Sequence, residues 1–146
     1  MKRRTLLQTL PAVTLLPSAL LAAAQQENAN SSQGSTAVYE LRVYHAAPGK
    51  LPDLLARFRN HTMKLFERHG IHNVAYWTPV DEPQKNDTLI YILRHPSREA
   101  ATANWKSFQD DPEWKSVRDK SEENGKLVEK VDSTFMALTD FSPALR

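Results

Sequence analysis

"YELRVYHAAPGK" (Tyr39 to Lys50) decides how the rest of this chain is read. It has the alternation of a β-strand and runs into a turn at Pro48-Gly49. Side chains alternate across a strand, so Glu40 and Arg42 share one face, while Tyr39, Leu41 and Val43 share the other. Two charges on one face of a strand meet water, line a cavity, or pair with one another. Which of these holds depends on what the following elements cover.

Working outward, "VYELRVYH" is the first strand and "PGKLPDLLARFRNHTMKLFERHG" a helix. Pro52 suits the first turn of that helix, and Asp53 complements the positive end of its dipole. Leu51, Leu54, Leu55, Phe58, Thr62, Leu65 and Phe66 form one stripe, and Gly70 can end the helix in a left-handed conformation. "IHNVAYWTPV" is a second strand. A polar loop containing Asp81, Pro83, Asn86 and Asp87 returns the chain into "TLIYILRH", the third. Ser97 is placed to cap a second helix with Ala101, Trp105 and Phe108 on its apolar side. At "DDPEW", Asp111 caps and Pro112 starts a further helix that runs to about Asn124-Gly125. "VDSTFMALTDF" closes the chain as a fourth strand.

The order β-α-β-β-α(α)-β is the split βαβ, ferredoxin-like arrangement of α+β proteins: a four-stranded antiparallel sheet with helices on one face. Tyr39, Leu41 and Val43, being apolar, are expected on the helix-covered side. Val38, Glu40, Arg42 and Tyr44 are then expected on the open face, with one of Tyr76 and Trp77 and one of Phe135 and Met136. An open face carrying aromatics is an exposed patch in a single copy. Pairing two such sheets across a two-fold axis covers it and encloses a cavity, so a homodimer is expected. Glu40, Arg42, Tyr44, Tyr76 and Trp77 are the ligand-binding candidates. For Glu40 and Arg42 two readings stand side by side. In one they form a structural ion pair, within the chain or across the dimer. In the other they form a pocket wall, Arg42 holding an anionic or carbonyl group and Glu40 moving a proton.

The first residues stand apart from the fold. "MKRRTLLQTLPAVTLLPSALLAAAQ" has a positive start, an apolar middle and small residues at Ala22-Ala23-Ala24, the pattern of a signal peptide over residues 1–24. Arg3-Arg4 with Leu6 resembles a twin-arginine export signal, while Lys2 and Gln8 leave the general secretory route open. Pro11 and Pro17 interrupt the apolar run, which favours cleavage and export to the periplasm or beyond over a membrane anchor. "QQENANSSQGSTA", residues 25–37, is a polar linker with nothing to bury.

Residues 38–143 form the single domain, and its composition excludes several functions. Of the whole chain 40% is hydrophobic and 25% charged, which suits one packed core. There is no cysteine, so disulfides, thiol nucleophiles and thiolate metal sites drop out. The formal charge of +2 contains Lys2, Arg3 and Arg4; without them the remainder is close to neutral. Such a surface has no electrostatic footprint for nucleic acid and no polybasic stripe for a membrane.

The residues also carry a family resemblance. "YELRVY", "PGK", "AYWTP", "SREAATANWKSFQDDPEW" and "STFMALTDFSP" resemble the NIPSNAP family from about Val38 to Pro143. The resemblance implies a dimeric α+β barrel and picks out Tyr39, Glu40, Arg42, Tyr44, Trp77, Pro112 and Trp114. Related barrels include small monooxygenases, haem-degrading enzymes and isomerases, among which fold cannot choose.

The histidines show no metal-ligand spacing. His69 and His72 are separated by Gly70 and should diverge; His45 and His95 meet only if their strand ends are neighbours. Haem in a barrel cavity is left open, with His61 or His95 as its candidate ligand. Trp105, Phe108 and Trp114 are expected to pack a helix joint, and Asp110 and Asp111 to cap a helix and not to act as paired catalytic carboxylates. The leading expectation is binding of a small, largely apolar molecule in the cavity lined by the open sheet face. The alternative is a monooxygenase or isomerase, cofactor-free or haem-dependent, using the same cavity.

Overall fold

The computed structural model describes residues 37–143 and residue 145. The expected signal peptide and all but the last residue of the polar linker lie outside the described residues. The elements are β1 (Val38–Ala46), a first helix α1, β2 (His72–Trp77), β3 (Thr88–His95), α2 (Arg98–Asp110), α3 (Pro112–Ser121) and β4 (Val128–Met136). The strands form one antiparallel sheet in the order β2-β3-β1-β4, the ferredoxin-like order expected from the sequence.

Helix α1 is α-helical over Leu51–Arg57 and again over Met63–Arg68, with a wide π-type turn at Phe58–Thr62 between them. The apolar stripe explains the turn. Leu54, Phe58, Thr62 and Phe66 recur every four residues, and at 3.6 residues per turn such a row drifts off the core. One wider turn draws it back, and Leu54, Phe58, Thr62 and Phe66 are all buried. Gly70 then ends the helix at φ +71°, where only glycine sits without strain.

Ser97 caps α2 by accepting from the Ala100 N–H at 3.1 Å, and Asp111 caps α3 by accepting from the Glu113 N–H at 2.7 Å. The expected aromatic joint is present. Phe108 lies 4.8 Å from Phe66 and 4.5 Å from Trp114, ring centre to ring centre, which fastens both later helices to α1. Arg68 and His69 reinforce it from the surface, bonding Asp111 at 2.7 and 2.6 Å. Asp110 instead pairs with Lys106, so the two aspartates have separate structural duties.

One boundary is corrected, and the conditional meeting of His45 and His95 is settled. The fourth strand begins at Val128 and ends at Met136, earlier at both ends than "VDSTFMALTDF" suggests. Its ladder with β1 runs from Ala46↔Val128 to Tyr39↔Met136, one residue short of the start of β1 at Val38. His45 and His95 do not meet. Val38 pairs with His95 and His45 with Thr88, at opposite ends of the β1–β3 ladder.

Candidate functional site

The larger correction concerns which face of the sheet carries the charges. Glu40, Arg42 and Tyr44 pair across the ladder with Leu93, Tyr91 and Leu89, all three in the helix-covered core. Glu40, Arg42 and Tyr44 therefore lie beneath the helices. Tyr39, Leu41 and Val43 face the other way, with Ile90 and Ile92 of β3 and Trp77 and Ala75 of β2. Tyr76 joins the covered side, stacked on Tyr91 at 5.1 Å, whereas Trp77 is on the open face and 49% exposed. Phe135 is covered, packed near His95, and Met136 points to the open side. Hydrophobicity chose the wrong face because both faces hold apolar side chains. The polar set can go under the helices because its charges satisfy one another, with only His95 Nδ1 left unpartnered.

Glu40 is the centre of that set and is only 1% exposed. Its Oε1 accepts from Arg42 Nη1 at 2.5 Å and from Ser133 Oγ at 2.7 Å; its Oε2 accepts from Trp105 Nε1 at 2.7 Å. His95 Nε2 stands 3.1 Å from Oε2 and must carry the proton, because an ionised carboxylate only accepts. Burial alone would raise the carboxyl's pKa. The hydrogen bonds from His95 and Ser133, the Arg42 charge and the Trp105 N–H outweigh it and bring the group down to about 2.

Arg42 is fitted as closely. Its Nε donates to the Tyr91 hydroxyl at 3.1 Å and Nη2 to the Tyr44 hydroxyl at 3.4 Å. Its guanidinium lies 4.4 Å from the Trp105 ring centre. Burial works against the charge, but Tyr44, Tyr91 and Glu40 more than offset it and hold the arginine protonated. Burial also raises the Tyr76 phenol and holds the Tyr91 phenol well above its ordinary value, so both stay neutral. Tyr76 spends its hydroxyl on Asn73. Of the two readings of Glu40 and Arg42, this geometry is that of an ion pair within one chain. A carboxylate with its lone pairs filled and a depressed pKa is poorly suited to moving protons at neutral pH.

Trp105, His95 and Ser133 belong to the network; in the sequence His95 stands out only as a candidate haem ligand and Trp105 only as helix packing, and Ser133 does not stand out. His95 shares the covered face of β3 with Leu89, Tyr91 and Leu93, a period-two signal that was available in the sequence. His95 has no exposed surface; its Nε2 is committed to Glu40, while its Nδ1 is buried without a hydrogen-bond partner. His61 is exposed on the π-type turn. His69 and His72 diverge as expected, toward Asp111 and Glu67 respectively.

Beside the network, between β4 and α3, a cleft of about 310 Å³ opens to the surface. Tyr44 forms its floor with Arg57 and Trp114, and Val128 and Val131 of β4 form its apolar wall. Arg57 was also missed. It lies three residues after Leu54, on the buried stripe of α1, so a charge there was a legible anomaly. It is only 6% exposed, donates from Nη1 to Ser121 Oγ at 3.2 Å and to Glu122 at 3.1 Å, and lies 5.3 Å from the Trp114 ring centre.

An antiparallel sheet in this order, with helices on one face over a buried carboxylate–guanidinium pair, defines a ferredoxin-like α+β protein. The chain belongs to the NIPSNAP family, whose model matches residues 39–143. Solved structures agree on the fold. A NIPSNAP-like domain protein from Burkholderia xenovorans is 16% identical with a TM-score of 0.65, over 77% of this chain and 93% of that one. A NIPSNAP family protein of unknown function from Agrobacterium tumefaciens is 23% identical with a TM-score of 0.64, over 75% and 94%. A second Agrobacterium NIPSNAP protein is 19% identical with a TM-score of 0.64, over 73% and 97%. No curated protein matches the chain. Among the described residues, no helix is long and apolar enough to cross a membrane.

Proposed function

We propose that this NIPSNAP protein is an exported homodimer that binds a small, largely apolar molecule without converting it. The cleft beside Tyr44 carries this reading. Its volume of about 310 Å³ is at the lower end of the small-molecule range, and an aromatic floor meets an aliphatic wall there. The binding space expected on the open face belongs instead on the helix side, where Tyr44 alone of the five candidates lines the cleft and Trp77 stays on the open face. Glu40 and Arg42 become the buried support that fixes Tyr44, while Tyr76 packs on Tyr91 further in.

The open face has a different task. Leu41, Val43, Ile90 and Ile92 are half-buried on a side with no helices, and Trp77 stands out beside them. A contiguous apolar sheet surface of this kind suits a second copy. The enzymatic alternative is less well supported, because the buried carboxylate is held far from a working acid–base pKa.

Native mass spectrometry of the full-length gene product recovered from its producing cell, set against the denatured mass, tests this reading. The expected result is a two-copy species carrying extra non-covalent mass and a mature chain beginning at Gln25. A single-copy species, or a dimer that never retains a ligand, would count against it. An intact Met1 would refute export with cleavage.

A further inference from the structure

The cleft beside Tyr44 is apolar on its walls but not neutral at its base and rim. We propose that it selects an amphipathic monoanion, a small carboxylate with an apolar body. This deepens the binding reading above and rests on it.

Three observations converge. Arg57 lies at the base of the cleft, and its Nε is buried with no hydrogen-bond partner. A buried N–H without an acceptor is uncommon in native proteins and costs stability unless something compensates it. Arg57 also has a single carboxylate for company, Glu122 on Nη1, so its guanidinium is only partly committed. Second, the lining as a whole is cationic: Arg57, Arg118, Lys126 and Lys130 against Glu122 and Glu129. Glu122 is spent on Arg57, Asp119 pairs with Arg118 and Asp132 with Lys130, so the surplus rests on Lys126, which makes no ion pair among the described residues. Third, Trp114 already holds the Arg57 guanidinium against its ring, so the cation and the aromatic surface are presented together.

A head group with one negative charge suits this surplus. A multiply charged head would set two charges beside Glu122 and Glu129. The apolar body of the ligand then lies along Tyr44, Val128 and Val131. A cationic amphiphile meets like charge at the rim, and a neutral one gains the walls without the head.

Calorimetric titration of the full chain with octanoate, 1-octanol and octylammonium at equal ionic strength separates the cases. Octanoate is expected to bind more tightly than octanol by up to about fivefold, the scale of one favourable exposed charge pair, and octylammonium least. Added salt should weaken octanoate and leave octanol unchanged. Lys126→Gln removes an exposed, unpaired charge without touching the core and should lower octanoate affinity severalfold while sparing octanol. If octanol equals octanoate, or octylammonium binds best, the choice of ligand class is overturned and the binding reading stands. If none of the three binds, both are overturned.

Discussion

Glu40→Gln keeps the shape of the side chain and deletes its charge, and the structure sets the size of the effect in two ways. The folded carboxyl titrates at about 2 against an ordinary 4.5. At about 1.4 kcal/mol per pKa unit, that difference is roughly 3 kcal/mol of stability at neutral pH. Independently, removing one partner from a buried ion pair costs about 3–5 kcal/mol. The lower end applies, because Arg42 keeps 16% exposure and its bond to Tyr91. The sign follows from the depressed folded pKa. The stabilisation is complete above 4.5 and disappears as pH falls from there toward about 2. Urea unfolding of both proteins across this range is the assay. At pH 7 the variant should lose about 3 kcal/mol, or roughly 15 °C in melting temperature for a domain near 100 residues. The gap should close as the wild-type carboxyl protonates. A gap below about 1 kcal/mol at pH 7, or one unchanged at low pH, would refute the assignment of Glu40 as a buried, fully bonded anion.

Other perturbations test the surrounding framework. Gly70→Ala should cost about 2 kcal/mol, because φ is +71° and the new Cβ would come 2.9 Å from Asn104 Nδ2. Gly49→Ala is its control: φ is +73° but nothing lies within 4 Å, so chemical denaturation should report about 1 kcal/mol. Ser97→Ala removes the cap on Ala100 N–H and should cost about 1 kcal/mol, read by the same unfolding curves. Phe66→Ala empties a site 1% exposed that packs on Trp105 and Phe108, and a loss of about 3–5 kcal/mol is expected in thermal melts.

The architecture was legible because its signals are local. Ser97 and Asp111 announce their helices, Gly70 ends one, and the short apolar, β-branched and aromatic run in "TLIYILRH" marks a strand regardless of what surrounds it. The orientation of the sheet was not local. Alternation sorts Glu40, Arg42 and Tyr44 from Tyr39, Leu41 and Val43 but does not say which set the helices cover. Polarity is a poor guide when Trp105, His95 and Ser133, distant in sequence, converge to satisfy a carboxylate. It also misleads when an apolar face is left uncovered within one chain. The candidate site suffered for the same reason. Tyr44 was found, yet its floor partner Arg57 hid as one more charge on a helix, and β4 was given a late start because "KLVEK" alternates weakly.

The central claim is that the polar network is internal to each copy and that the open apolar face joins two copies. Sedimentation velocity of the wild-type protein beside Ile92→Glu tests it most directly. Ile92 sits mid-face between Leu41 and Ala75, where a charge buried by the second copy would oppose assembly without entering the core. The account predicts a wild-type dimer and a folded, monomeric variant. A monomeric wild type, or a variant that still dimerises, would contradict it.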